Sequence, residues 1–418
     1  MAGFAKDVAR ATQAMRELFP ETPLQENDYL SLKTGARVFL KREDLSPVRS
    51  YKIRGAFNFF RKALASGEGA DVFVCASAGN HAQGFAYVCR HLGRKGVIFM
   101  PVTTPQQKID KTKMFGGDAV EIRLIGDFFD ACYHAAQDFA QASGGYMVPP
   151  FDHKDIIEGQ ASVACELAAQ MPEGVVPDII VLPVGGGGLS AGVTRYVETL
   201  GWKPRFIFVE PLGAPSLKRS LQTGKRVVLE KVDNFVDGAA VGEIGKENFR
   251  LLKGFGEEQV TLVPENRLCA TMIEMLNVEG IVLEPAGALA IDALKDISPK
   301  DLKGKTVVAV VSGGNFDFER LPDVKERALR FEGFKKYFVF RFPQRPGALR
   351  DFLDLLGPED DIARFEYLKK SARNFGSVLI GIETKDAKNF DILRKRFAEG
   401  GWAYQDITEN EVLAGLII

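Results

Sequence analysis

A lysine that attacks an aldehyde must spend time as the free amine, so it needs a desolvated place at the mouth of a fold. Lys52 has such surroundings in Ser50-Tyr51-Lys52-Ile53-Arg54-Gly55-Ala56, between an aromatic residue and a presumed helix start. Taken alone it would read as a solvated surface lysine. A second feature, Val184-Gly185-Gly186-Gly187-Gly188-Leu189, follows an apolar strand and precedes a helix. Without side chains the backbone can close on an anion, and N–H groups at a helix start favour negative charge, so a phosphate is the natural guest. A third, Ser77-Ala78-Gly79-Asn80-His81-Ala82-Gln83, is placed the same way. A helix cap would explain one of its polar residues; Ser77, Asn80, His81 and Gln83 together suit a carboxylate, although His81 alone would more often be structural. Ser312-Gly313-Gly314-Asn315 closes another strand. All four sites lie at carboxyl ends of strands, where open α/β sheets bind ligands.

The glycine run is ambiguous by itself. Gly186-Gly187-Gly188-Leu189-Ser190-Ala191 also fits the dinucleotide fingerprint, and Glu210 ends the following strand, so a dinucleotide-dependent dehydrogenase is a competing enzyme class. No Gly-Lys-Ser/Thr follows the glycines, which excludes a P-loop.

The elements that must hold these residues follow from the pattern. Apolar β-rich runs at 37–40, 72–76, 96–100, 119–124, 179–183, 206–210 and 306–311 alternate with amphipathic stretches at 54–65, 82–92, 128–142 and 189–200. That alternation predicts an α/β fold with a parallel sheet covered on both faces. After a charged helical stretch at 316–331 the style changes. Strands near 337–342, 362–368 and 377–383, helices at 349–356 and 386–397, and a last strand opening at Tyr404 give the βαββαβ order of a ferredoxin-like unit. The expected division is 1–330 and 331–418.

Bulk properties narrow the partners. The 54 basic and 55 acidic residues of the 418 leave a formal charge of -1, so nothing draws the chain to nucleic acid or an anionic membrane. No apolar stretch approaches the roughly 20 residues of a membrane span. The five scattered cysteines lack a C-x-x-C pair and read as reduced core residues of a cytoplasmic protein. Phe4, Val8, Ala11, Met15 and Leu18 recur at helical spacing, so the N-terminal segment reads as a packed helix rather than a transit peptide.

In this order, Arg42-Glu43-Asp44-Leu45, the Lys52 segment, Ala76 to Gly84, the glycine loop, Asp237-Gly238, Glu284-Pro285-Ala286-Gly287-Ala288 and Ser312 to Asn315 resemble the fold-type II pyridoxal phosphate (PLP) enzymes, specifically the biosynthetic threonine deaminases. The resemblance covers nearly the whole chain. It implies a two-lobed, tryptophan synthase β-like catalytic unit, with a smaller lobe at roughly 45–150 inserted in the larger. The tail, with Phe342-Pro343-Gln344-Arg345-Pro346-Gly347, resembles an α+β ACT-like regulatory domain.

The resemblance implies that Lys52 carries the cofactor as a Schiff base, that Gly185, Gly186, Gly187, Gly188 and Leu189 bind its phosphate beside Tyr51, that Asn80 meets its ring hydroxyl, and that Ser312 faces its pyridine nitrogen. Ser77, Asn80 and His81 would hold the substrate carboxylate. A neutral serine at the ring nitrogen makes a weaker electron sink than an aspartate, which favours prompt loss of a β-substituent. No protein acid is obvious for the departing hydroxide, and the cofactor phosphate is the candidate. The implied reaction converts L-threonine, with L-serine as an alternative substrate, to 2-oxobutanoate and ammonia at the first committed step of isoleucine biosynthesis.

Ala78 stands where related racemases have a proton-carrying serine, which disfavours racemisation. The racemase-like cation site is incomplete, with Glu210 present and Ser216 where a carboxylate is expected, so no divalent metal is expected to be required. The resemblance further implies feedback inhibition by isoleucine, with valine as an antagonist, and a homotetramer; the turn at Arg345, Pro346 and Gly347 and the strand around Tyr367 are the places where an effector is expected. A tail that serves only for dimerisation, a catabolic serine/threonine deaminase, a β-replacement enzyme and an amino-acid sensor are the remaining readings.

Overall fold

Strand Ile179–Pro183, buried at every position, lies inside a six-stranded sheet in the computed structural model of the chain, which describes residues 2–67, 71–368 and 374–410. In sheet order the strands are Leu24–Glu26, Arg37–Arg42, Thr306–Val311, Ile179–Pro183, Arg205–Pro211 and Val260–Val263. All neighbours are parallel except the first pair. That antiparallel edge strand is only three residues long, too short for its alternation to register in the sequence.

A second, fully parallel sheet holds Val120–Leu124, Lys95–Met100, Val72–Ala76 and Tyr146–Met147, in that order. Its strands fall in sequence between Arg42 and Ile179, so this smaller lobe is an insertion in the larger one. Alternate residues of Val72–Ala76 serve two cores, as a two-residue side-chain period requires. Phe73 and Cys75 pack with Phe60 and Phe85 of helices Lys52–Ala65 and Asn80–His91, whereas Val74 and Ala76 pack with Cys132, Ala136 and Ala140 of helix Phe129–Ser143. The N-terminal helix Ala2–Ala14 is packed as its spacing requires, with Val8 and Ala11 buried. Among the described residues no helix is long and apolar enough to cross a membrane.

The chain divides into two compact units between Asp317 and Phe318. The division falls before the expected boundary near residue 330 because helix Leu321–Phe331 belongs to the second unit. Its Glu326 carboxylate lies 2.6 Å from the Lys335 ammonium, and the amide of Phe334 donates to Leu329.

The second unit is βαββαβ: Lys335–Pro343, Ala348–Leu353, Asp360–Leu368, Phe375–Thr384, Asn389–Glu399 and Tyr404–Asp406. Its antiparallel sheet runs in the order second, third, first, fourth strand. Phe338, Phe340 and Phe342 point to one face, where they meet Phe352, Phe390, Leu393 and Phe397. Aromatic groups of that size each bury 150–250 Å², which is how a unit near the minimum size sustains a core.

Candidate active site

Lys52 is the first residue of helix Lys52–Ala65. Two joins fix the segment before it to the end of strand Thr306–Val311. The amide of Tyr51 donates to the Ser312 carbonyl at 3.2 Å, and Gly314 donates to the Arg49 carbonyl at 2.9 Å. Arg49 takes the left-handed conformation, φ 59°, which side chains rarely adopt; the strain lies three residues from the lysine. The lysine Nζ is 2.9 Å from the Pro150 carbonyl and lies over the rings of Tyr51 and Phe151, at 5.5 and 5.7 Å from their centroids. No carboxylate pairs with it among the described residues. Burial therefore pushes its ammonium down to about 8, partly offset by the charge of Glu284. The free-amine population that the sequence motif called for is thus available.

Two helix starts face this region of the fold. Helix Gly188–Thr199 begins at the glycine loop, with Gly187 left-handed at φ 88°. The loop is packed from below. A Cβ on Gly186 would meet the Phe151 ring at 2.3 Å, and one on Gly185 would meet Ala239 at 3.0 Å. The Gly186 carbonyl is held by the Asn248 side chain at 2.7 Å and the Gly245 amide at 3.1 Å. Asp152 caps the start of the adjoining helix Lys246–Leu252, accepting from Lys246 and Glu247 at 2.8 Å. The N–H groups of Gly185 to Leu189 have no acceptor among the described residues, so they remain free for an anion.

Helix Asn80–His91 begins at the second loop. Gly79 donates to Ser77 Oγ at 3.3 Å, while the amides of Ala78, Asn80 and His81 have no acceptor among the described residues. Gly84 lets this helix lie against the start of the Lys52 helix, where a Cβ would stand 3.0 Å from the Ile53 nitrogen. His81 is buried with Nε2 3.0 Å from the Val148 carbonyl, and burial and the nearby Lys52 push its imidazole down to about 3. The neutral ring is thus committed to structure, and what His81 offers at this loop is its backbone N–H.

Behind the loops is a chain of polar contacts that sequence reasoning missed. Asn80 Nδ2 donates to Glu284 Oε1 at 2.7 Å, and Asn80 Oδ1 accepts from Asn315 Nδ2 at 2.8 Å. Asn315 also donates to the Val48 carbonyl at 2.7 Å. Burial, with the charge of Asp237 adding to it, pushes the Glu284 carboxyl up to about 7. Its signal was a lone carboxylate in the apolar run Ile281-Val282-Leu283-Glu284-Pro285-Ala286. The Ser312 hydroxyl, also buried, is 3.2 Å from the Ala286 carbonyl, long enough for its hydrogen to turn to a better acceptor.

Glu210 and Ser216 are engaged in a different way. The Glu210 carboxylate accepts from the amides of Leu217 and Lys218 at 2.7 and 2.9 Å and from Ser216 Oγ at 3.3 Å, so it caps helix Ser216–Thr223. Among the described residues no group of three His, Cys, Asp or Glu could hold a metal.

The amine, the two rows of amides without an acceptor among the described residues and the serine hydroxyl could together hold an aldehyde-bearing organic phosphate. Similarity to known proteins agrees with that chemistry. Residues 16–313 match the model of the family described as pyridoxal-phosphate dependent enzyme, and residues 326–417 match the C-terminal regulatory domain of threonine dehydratase. The chain is 44% identical over 414 residues to the biosynthetic L-threonine dehydratase of Halalkalibacterium halodurans, covering 99% of both chains. The chain belongs to the biosynthetic threonine dehydratase family. A second member, from Bacillus subtilis, is also 44% identical, over 99% of this chain and 97% of its own. Among solved structures, the processed form of threonine deaminase isoform 2 from Solanum lycopersicum superposes with a TM-score of 0.72 at 34% identity, over 78% of this chain and 87% of its own. Membership in this family makes pyridoxal phosphate the cofactor and excludes the dinucleotide reading of the glycine run.

Proposed function

We propose that the chain dehydrates and deaminates L-threonine to 2-oxobutanoate and ammonia, with Lys52 as the catalytic residue. The observation that carries this is the Lys52 amine, which among the described residues has no carboxylate partner, beside two helix starts whose amides have no acceptor among those residues. When bound, pyridoxal phosphate supplies an aldehyde for the amino acid's nitrogen and a ring that withdraws charge from its α-carbon.

The protein does the rest. The amides of Gly185, Gly186, Gly187, Gly188 and Leu189 would hold the phosphate, and Tyr51 walls the lysine. The Ser77 hydroxyl and the backbone N–H groups of Ala78, Asn80 and His81 would orient the carboxylate, and the Asn80 side chain would meet the cofactor's ring oxygen. That orientation aims the α-proton at the Lys52 amine, which near pH 8 is free often enough to remove it. Ser312 would give the cofactor's ring nitrogen a neutral partner, which would favour loss of a β-substituent. Ala78 offers no proton to the opposite face, so elimination rather than racemisation follows.

The second unit supports a regulatory reading. Arg345, Pro346 and Gly347 form the turn before helix Ala348–Leu353, with Arg345 paired to Asp351 at 2.5 Å. Tyr367 stands 6.2 Å from the ring of Phe342 on the neighbouring part of the sheet, and 40% of it is exposed. We assign isoleucine as inhibitor and valine as antagonist at this end of the sheet, in a cytoplasmic homotetramer. The test is 2-oxobutanoate formation from threonine with increasing isoleucine. The full chain should be inhibited and a chain ending at Asp317 should not, with Tyr367→Ala in the full chain raising the half-inhibitory concentration about tenfold, roughly one lost contact. Equal sensitivity of the full and shortened chains would remove the regulatory assignment.

A further inference from the structure

We infer that Glu284 is a positioning residue that, through Asn80, decides which end of an amide is turned toward the cofactor's ring oxygen. The inference rests on the placement of pyridoxal phosphate proposed above and adds a residue to it.

A primary amide has two donor hydrogens on nitrogen and two acceptor lone pairs on oxygen, and by shape its two ends are nearly interchangeable. Only the neighbours distinguish them. At Asn80 both ends have a neighbour of fixed character. Glu284 Oε1, 2.7 Å from Nδ2, is an acceptor whether its carboxyl is ionised or not, provided the proton sits on Oε2. Asn315 Nδ2, 2.8 Å from Oδ1, is a donor, and it is itself oriented by the Val48 carbonyl at 2.7 Å. A flipped Asn80 would set two NH₂ groups against each other at one end and two oxygens at the other. With the unflipped amide, one Nδ2 hydrogen has no acceptor among the described residues. Asn80 therefore presents an N–H donor to the ring oxygen, which keeps that oxygen an anionic acceptor.

The backbone is shaped to admit the carboxylate. A Cβ on Gly313 would lie 2.1 Å from Glu284 Oε1, and one on Gly287 would lie 1.9 Å from the Gly313 carbonyl. Gly238 also approaches, with a would-be Cβ 3.7 Å from Glu284 Oε1 and 3.9 Å from Asn80 Nδ2. Two glycines on two segments, Gly313 and Gly238, thus approach the carboxylate, Gly313 where a side chain would collide with it, while Gly287 leaves room for the Gly313 backbone. Burial and Asp237 push that carboxyl up to about 7, so it gives the amide an acceptor without requiring a full buried charge.

The test compares full-length wild type, Glu284→Gln and Glu284→Met, each loaded with pyridoxal phosphate. Glutamine keeps an acceptor oxygen at the same reach, and methionine keeps the volume without one. The absorption spectrum, the equilibrium affinity for the cofactor and the KM and kcat for threonine are measured, with thermal melting alongside. Glu284→Met should lose visible absorption to a near-ultraviolet band as the ring oxygen gains a proton, and should bind the cofactor about tenfold more weakly, the scale of one hydrogen bond. Its kcat should fall about tenfold while KM changes less than about twofold, and Glu284→Gln should restore the wild-type spectrum. If Glu284→Met melts far below the wild type, Asn315→Ser replaces it, because it frees the other end of the same amide and should shift the spectrum in the same direction. A wild-type spectrum in Glu284→Met, or equal shifts in Met and Gln, would overturn the inference. A wild type that binds no cofactor would instead overturn the reading beneath it.

Discussion

Lys52→Ala should lower kcat for threonine by at least about 10³-fold, because it deletes the residue proposed as both the covalent attachment point and the base for the α-proton. It should do so without unfolding the chain. Among the described residues the Lys52 ammonium has one hydrogen-bond partner, the Pro150 carbonyl, and burial holds it down to about 8, so the folded state resists its charge. A base whose folded value is depressed contributes an unfavourable term below that value, and the term fades as pH rises toward the ordinary 10.5. Removing the amine removes the term. Cofactor-free Lys52→Ala should therefore melt no lower than the cofactor-free wild type at pH 7. A large loss of stability with partial activity would mean that Lys52 is a structural lysine.

Arg54→Met should have the opposite profile, with a loss of about 3–5 kcal/mol of stability, the scale for breaking a buried ion pair. Arg54 is fully buried two residues after Lys52 on the same helix. Its Nε lies 2.7 Å from Glu43 and its Nη2 2.7 Å from Glu166, which also accepts from Lys41 at 2.8 Å. Burial alone would raise the Glu166 carboxyl, yet the charges of Arg54 and Lys41 and their hydrogen bonds hold it well below the usual carboxylate range. Stability from a carboxylate lowered in this way is present above its unfolded value, 4.5, and is lost as pH falls through the folded value. Urea unfolding at neutral pH should show the deficit of Arg54→Met, and the wild type should lose stability on acidification. Arg123→Met breaks an exposed pair with Glu121 and should cost less than about 1 kcal/mol. Equal costs for the two would remove the assigned role of the buried cluster.

Much of the fold is legible in local pattern. The run Ile179-Ile180-Val181-Leu182 is uniformly apolar because it is covered on both faces, and the alternation of Phe338, Phe340 and Phe342 marks a sheet with one buried face. What escaped was short or distant. Leu24–Glu26 and Tyr146–Met147 are too short for a period to register. The contact-based division at Asp317 and the expected boundary near residue 330 differ by helix Leu321–Phe331, which looks the same in sequence whichever neighbour it packs on.

The site divides along similar lines. Lys52, the glycine loop and the Ser77 to His81 segment stand out because their composition is odd for its position. Arg54, Glu43 and Glu166 do not, because their meaning lies in contacts spanning 11 and 112 residues of sequence. His81 was legible as a residue but not as a backbone donor, since nothing in the sequence shows that its ring turns to the Val148 carbonyl.

The most direct measurement is borohydride reduction of the purified full-length chain, followed by its visible spectrum and the mass of the peptide that carries Lys52. The expected result is a visible band that disappears on reduction and a pyridoxal phosphate-sized mass increment on Lys52, absent from Lys52→Ala. A colourless protein, or an adduct on any lysine other than Lys52, would contradict it.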